Sequence, residues 1–166
     1  MKGHIAICFA AALGFSAHAS AQQANSPVGS AAGVQQTQLS AEQQAQLARQ
    51  NEEMSNAAAQ VMKLVDEQRS AEVWEGASVV AKKSVTKEQF VENIASDREM
   101  LGAVVGRKHV TVTRAVYPVG GPLPAGNYVS VVTATKFAKS EQEVRELVSF
   151  HLDDDATWRV TGYSLR

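Results

Sequence analysis

Chemistry needs side chains that can hold a proton, a metal ion or a leaving group, and this chain offers few. His109 and His151 lie on different expected strands, and each is a candidate general base because imidazole titrates near neutral pH. A lone strand histidine is, however, far more often an ordinary surface or half-buried residue. His151 precedes Asp153, Asp154 and Asp155, which together resemble a hard-cation cluster. Their spacing is not that of an EF-hand loop, and an acidic hairpin turn accounts for them more simply. Asp97, Arg98 and Glu99 close an expected helix, with Arg107 and Lys108 just beyond Gly102. Asp97 would serve as a proton-abstracting base if it overhung an apolar cavity. The plainer alternative is a solvated helix end whose cations complement the dipole. Trp74, Phe90, Tyr128, Phe150, Trp158 and Tyr163 would either line a pocket or simply form the core, the commoner case.

Recognised catalytic patterns are missing. The chain has no G-x-S-x-G elbow, no H-E-x-x-H, no phosphate-binding P-loop and no G-x-G-x-x-G. Gly102-Ala103-Val104-Val105-Gly106 and Gly76-Ala77-Ser78 are partial imitations, better explained as helix ends and turns. No cofactor and no metal site is expected.

The N-terminus predicts export. Lys2 supplies a positive start, Ile5 to Phe15 an apolar run of 11 residues, and Ala19-Ser20-Ala21 a small-x-small cleavage site. The run is too short to span a bilayer, which needs about 20 apolar residues. Cys8 lies inside it rather than just after it, unlike a lipidated cysteine. The expected product is periplasmic or secreted, begins at Gln22 and has no stable membrane insertion. Processing would leave 15 Lys+Arg against 17 Asp+Glu and no cysteine. Disulfides, thiol catalysis and Cys-ligated zinc would then be excluded. With a formal charge of −1 before processing, nothing draws in nucleic acid.

Residues 1–21 thus read as signal, and residues 22–50, with nine glutamines, six alanines and no aromatic, as a polar lead-in that is partly disordered or helical. Ser40 with Gln43 is a capping-box candidate inside it. A domain over 51–166 follows. Met54, Ala57, Ala58, Val61, Leu64 and Val65 recur at three- and four-residue spacing and predict a first helix. A second, short helix is expected to carry Val73, Trp74, Ala77 and Val80, with Gly76 in its middle and Trp74 in the core. Thr86 with Gln89 opens a third, carrying Phe90, Val91, Ile94 and Leu101 and ending at Gly102.

After Gly106 the period changes to alternation. Val110, Val112 and Val116 are expected on one face of a strand over 109–117, against His109, Thr111, Thr113 and Tyr117. Pro118 to Asn127 must be a loop, being rich in Gly and Pro. Strands over 128–137, 144–152 and 157–165 follow, the third of the four carrying Val144, Val148, Phe150 and Leu152 on one side. The expectation is an α+β fold, three N-terminal helices packed on a curved four-stranded antiparallel sheet.

A set of ordered landmarks runs through this region. They are Leu64-Val65-Asp66, Val73-Trp74-Glu75 with Ala77-Ser78, and Val85-Thr86-Lys87-Glu88-Gln89-Phe90. Arg98 follows, then Leu101-Gly102-Ala103-Val104, Gly126-Asn127-Tyr128-Val129 and Trp158-Arg159-Val160-Thr161-Gly162-Tyr163. Over about residues 57–166 the chain resembles the bacterial domain of unknown function 4019 family. It departs at Val61-Met62 and Phe90, where tryptophan is common, while keeping those positions apolar. The resemblance implies a cystatin-like, cone-shaped α+β domain related to nuclear transport factor two. It brings no accepted catalytic residues.

Two functions of different class are compatible with this. One is an exported, non-catalytic module that binds an envelope protein or a small apolar ligand, or forms a homodimer, through its sheet. The alternative is a cone-fold enzyme of isomerase or cyclase type using Asp97, His109 or Tyr128 on an enclosed apolar cavity. A carboxylate or histidine of shifted pKa in a closed pocket would favour the second.

Overall fold

A computed structural model describes residues 39–166; the signal-like segment and the first part of the lead-in lie outside the described residues. Helix α1 spans Ala41–Asp66. The Ser40 hydroxyl accepts the Gln43 N–H, and the Gln43 side chain accepts the Ser40 N–H, so the expected capping box forms. The helix runs straight through residue 50, making the second half of the lead-in and the first helix of the domain one element. Met54, Ala58, Val61, Met62 and Val65 form its buried face.

The expected second helix is two: α2, Ser70–Glu75, and α3, Val79–Ser84. The break has a tertiary cause. The Ser78 N–H donates to the carbonyl of Val160 at 2.9 Å, and the Ser78 hydroxyl accepts from Val80, starting α3 afresh. Trp74, expected in the core, is only half-buried at its edge; its indole N–H donates to the Val85 carbonyl at 3.4 Å, and Lys82 lies over its ring. Helix α4, Lys87–Leu101, opens on the Thr86/Gln89 capping box and ends at Gly102, whose φ of 78° lies in the left-handed region.

Strands β1 (Val104–Tyr117), β2 (Gly126–Phe137), β3 (Val144–Leu152) and β4 (Trp158–Leu165) form one open antiparallel sheet in the order β1-β2-β3-β4. The chain is therefore α+β, as expected. β1 begins before Gly106 rather than after it, and accommodates the extra length by register shifts between Val104 and Gly106 and between Lys108 and Val110. Its apolar stripe is weaker than expected. Val112 packs on the core, but Val116 is 75% exposed, because β1 is an edge strand. The side chain of Val110 lies outside the described residues.

One sheet face carries Val129, Val131, Val148, Phe150 and Val160 and packs with α1, α2 and α4 into the core. The other face is made of the intervening residues. Thr113, Ser130, Ser149 and Gly162 are register partners across all four strands and form a row of small residues on it. Among the described residues no helix is long and apolar enough to cross a membrane.

Candidate functional site

The second sheet face is walled on two sides. One wall is α3, which contributes Val80, Ala81 and Ser84; the other is the β1–β2 loop, which contributes Leu123 and Pro124. Between them lies a trough of about 350 Å³ floored by Thr113, Ser130, Ser149 and Gly162, with Tyr117 and Tyr128 among its lining residues. The floor hydroxyls of Ser130 and Ser149 are 3.1 Å apart and hydrogen-bonded. Arg114 also borders the trough, but its guanidinium donates to the Gln50 side chain on α1, at 2.8 and 3.2 Å.

Both walls are pinned by buried polar groups. On the α3 side, the Ser78 hydroxyl and His151 Nδ1 converge on Asp153 Oδ1, His151 at 2.8 Å, while Arg159 donates to Oδ2 at 3.2 Å. Burial pushes the Asp153 carboxyl up, but these three donors outweigh it and hold it below its ordinary value. The carboxylate acceptor keeps the imidazole proton on Nδ1, leaving Nε2 buried with no hydrogen bond among the described residues. Gly126 packs against that nitrogen so closely that a Cβ there would collide with it. On the loop side, the Tyr128 hydroxyl donates to the Pro124 carbonyl at 2.8 Å. Burial first, and Tyr117 second, raise the Tyr128 phenol above its ordinary value. The Tyr128 ring meets Tyr117 and His151 edge to face, at 5.2 and 4.8 Å, and so joins the two pins.

A second polar network lies on the core side. Glu146, with 0% exposure, accepts from Arg107 at 2.7 and 3.1 Å, from Thr135 at 2.6 Å and from the Tyr163 hydroxyl at 2.7 Å. Arg107 also grips Asp66 with both terminal nitrogens, at 2.7 and 2.8 Å, and Arg98 reaches Asp66 at 2.9 Å. The guanidinium of Arg98 lies over the Phe137 ring. Burial and the neighbouring carboxylate raise the Tyr163 phenol far above its ordinary range. A cleft of about 620 Å³ opens between α1 and α4 with Asp66 and Arg98 in its lining. Asp66 is paired with both Arg98 and Arg107, while the second terminal nitrogen of Arg98 is buried without a hydrogen-bond partner among the described residues; the network is a clamp joining α1, α4 and all strands of the sheet.

The three sequence candidates do not form one site. Asp97 is half-buried on α4 and lines neither the trough nor this cleft. His109 lies on β1 at the second register shift, and its side chain is outside the described residues. Only Tyr128 lines the trough. Arg98 is not a solvated helix-end charge, since its side chain is 15% exposed and ion-paired, and Arg107 serves the sheet rather than the helix dipole. The acidic turn after β3 is a turn, but Asp153 is buried while Asp154 and Asp155 are exposed. Among the described residues no group of three or more His, Cys, Asp or Glu is placed to hold a metal ion.

Residues 57–163 match the family model described as protein of unknown function DUF4019. The chain belongs to the DUF4019 family. No curated protein and no solved structure matches it. The DUF4019 match takes in α2, α3, α4 and the sheet except its last residues, and so contains both polar networks and every trough-lining residue. Landmarks scattered along the DUF4019 sequence meet in space: Asp66 pairs with Arg98, Ser78 reaches across to the Val160 carbonyl, and Gly126 and Tyr128 pack on His151.

Proposed function

We propose that this protein is an exported, non-catalytic binding module with a cone-shaped sheet, and that the trough on the second sheet face holds its ligand. One observation carries the reading. The trough has two pinned walls and a hydroxyl-bearing floor, and among the described residues no carboxylate or imidazole lines it. Such a site supplies shape and hydrogen bonds, and of its two phenols Tyr128 commits its hydroxyl proton to the Pro124 carbonyl, holding the loop wall in place. The serine hydroxyls have one another as partners rather than a base. The export reading rests on Lys2, the apolar run Ile5 to Phe15 and Ala19-Ser20-Ala21.

The test is native mass spectrometry of protein re-isolated from an envelope extract of its own cells. The expected result is a retained small molecule that is released unchanged in mass. A molecule released chemically altered, with turnover, would overturn the non-catalytic reading; a protein that retains nothing would overturn binding in the trough.

A further inference from the structure

Gly162 sits in the middle of β4, where a glycine weakens a strand because it loses more backbone entropy than other residues and packs nothing. Nothing in the fold demands it. Its φ is not in the left-handed region, and a Cβ built on it would meet no atom within 4 Å. The neighbouring register shift leaves Thr161, not Gly162, without a partner. As the register partner of Ser149, Gly162 would aim that Cβ into the trough, where the open space lies. The missing side chain lowers the trough floor by about one methyl group and leaves a stretch of bare backbone on which a flat molecule can rest.

We infer that the trough binds a small uncharged ring compound bearing one hydrogen-bonding group, stacked over the Gly162 backbone and hydrogen-bonded by the Ser130/Ser149 pair. This inference rests on the binding reading above and names the class of ligand. A volume of about 350 Å³ is at the lower end of the usual range for small-molecule sites. Val80, Ala81, Leu123 and Pro124 offer apolar walls, and Tyr117 and Tyr128 aromatic ones, suited to a ring. Two hydroxyls hold four spare hydrogen-bonding positions once they have bonded to one another, one donor and three lone pairs, enough for a single phenolic or amide group. Charge is disfavoured, because Arg114, the one ionic residue in the lining, is the register partner of core-facing Val129 and turns its guanidinium to Gln50 on α1, so the trough offers an ion no charged partner, and burying an unpaired ion is costly.

The experiment is isothermal titration of the full chain against 1-naphthol and against 1-naphthoate at neutral pH. Four proteins are compared: wild type, Gly162→Ala, Gly162→Val and Gly106→Ala. Gly106 is a strand glycine that also has open space around its Cβ position but does not line the trough. We expect 1-naphthol to bind wild type and Gly106→Ala alike, Gly162→Ala more weakly, and Gly162→Val at least about tenfold more weakly. We expect 1-naphthoate to bind wild type at least about tenfold more weakly than 1-naphthol. Thermal unfolding of each variant establishes that it is folded. Equal binding to wild type and both Gly162 variants, naphthoate binding as tight as naphthol, or no naphthol binding would each overturn the inference. If naphthol fails while extract-derived protein still retains a small molecule, only the ligand class falls. If neither binds, the binding reading falls with it.

Discussion

Glu146 shows how a single carboxylate can be committed to architecture. It has no exposure, and Arg107, Thr135 and Tyr163 all donate to it. Removing its charge leaves Arg107, half-buried, with Asp66 as its remaining carboxylate, so Glu146→Gln should lower stability by about 1 to 3 kcal/mol, measured by urea unfolding. A loss below about 1 kcal/mol would show that the network relaxes around the amide. Asp153 gives a pH dependence instead. Its folded pKa is depressed, so its contribution is present above the unfolded carboxylate value of about 3.9 and is lost as pH falls through the lower folded value. Asp155, held down by Arg159, adds in the same direction. Thermal midpoints should therefore fall steeply below about pH 4, and Asp153→Asn should flatten part of that limb, with no difference in slope above it. A limb of equal slope in both proteins would show that Asp153 is not a source of the acid sensitivity.

How much of each element was legible depends on how far away its causes lie. The two capping boxes, Ser40/Gln43 and Thr86/Gln89, were readable because cap and partner are three residues apart. The α2–α3 break was not, because it is set by the Ser78 N–H bonding to the Val160 carbonyl on β4, far along the chain. A signal for Glu146 existed: it shares the strand parity of Val144 and Val148, so a carboxylate interrupts an apolar stripe. Arg107 gave no such signal, because the register shifts in β1 hide its parity. The trough was illegible, since its floor comes from four strands and only their register reveals the row of small residues. The same break demotes Trp74. With α2 and α3 separate, the ring covers the core edge rather than filling it, so Trp74→Ala should cost about 2 kcal/mol, below the 3 to 5 typical of a fully buried aromatic. Urea midpoints of the two proteins check this, and a loss of 4 kcal/mol or more would place the ring in the core after all.

At the level of the molecule, the sheet separates two tasks. The helix-covered face holds the apolar core and the ion clamp, and the opposite face carries the trough with its own polar pins. A substitution on the trough floor can therefore alter binding with little effect on the core, which is why Gly162 variants are informative. The export proposal makes a separate claim about the whole chain. If Ala19-Ser20-Ala21 is cleaved, protein recovered from the periplasm or medium should begin at Gln22 by intact mass, and retention of Met1 would remove the export reading.

Helix α1 has a consequence for how the molecule opens. It spans 26 residues, about 39 Å at 1.5 Å per residue, yet burial begins only at Met54. Before that point most side chains are exposed, and apart from the Gln50 tie to Arg114 the segment from Ala41 to Glu53 relies on its cap and its own backbone bonds. A helix of that length is marginal in water without tertiary packing. One continuous rod should thus show two clocks in deuterium labelling. Amides from Ala45 to Arg49 should exchange by local fraying within seconds to minutes, while those of Val61 to Val65 should wait for global unfolding. The step between the two rates should fall near Met54. Uniform protection along the whole rod would show that another surface shields its first turns.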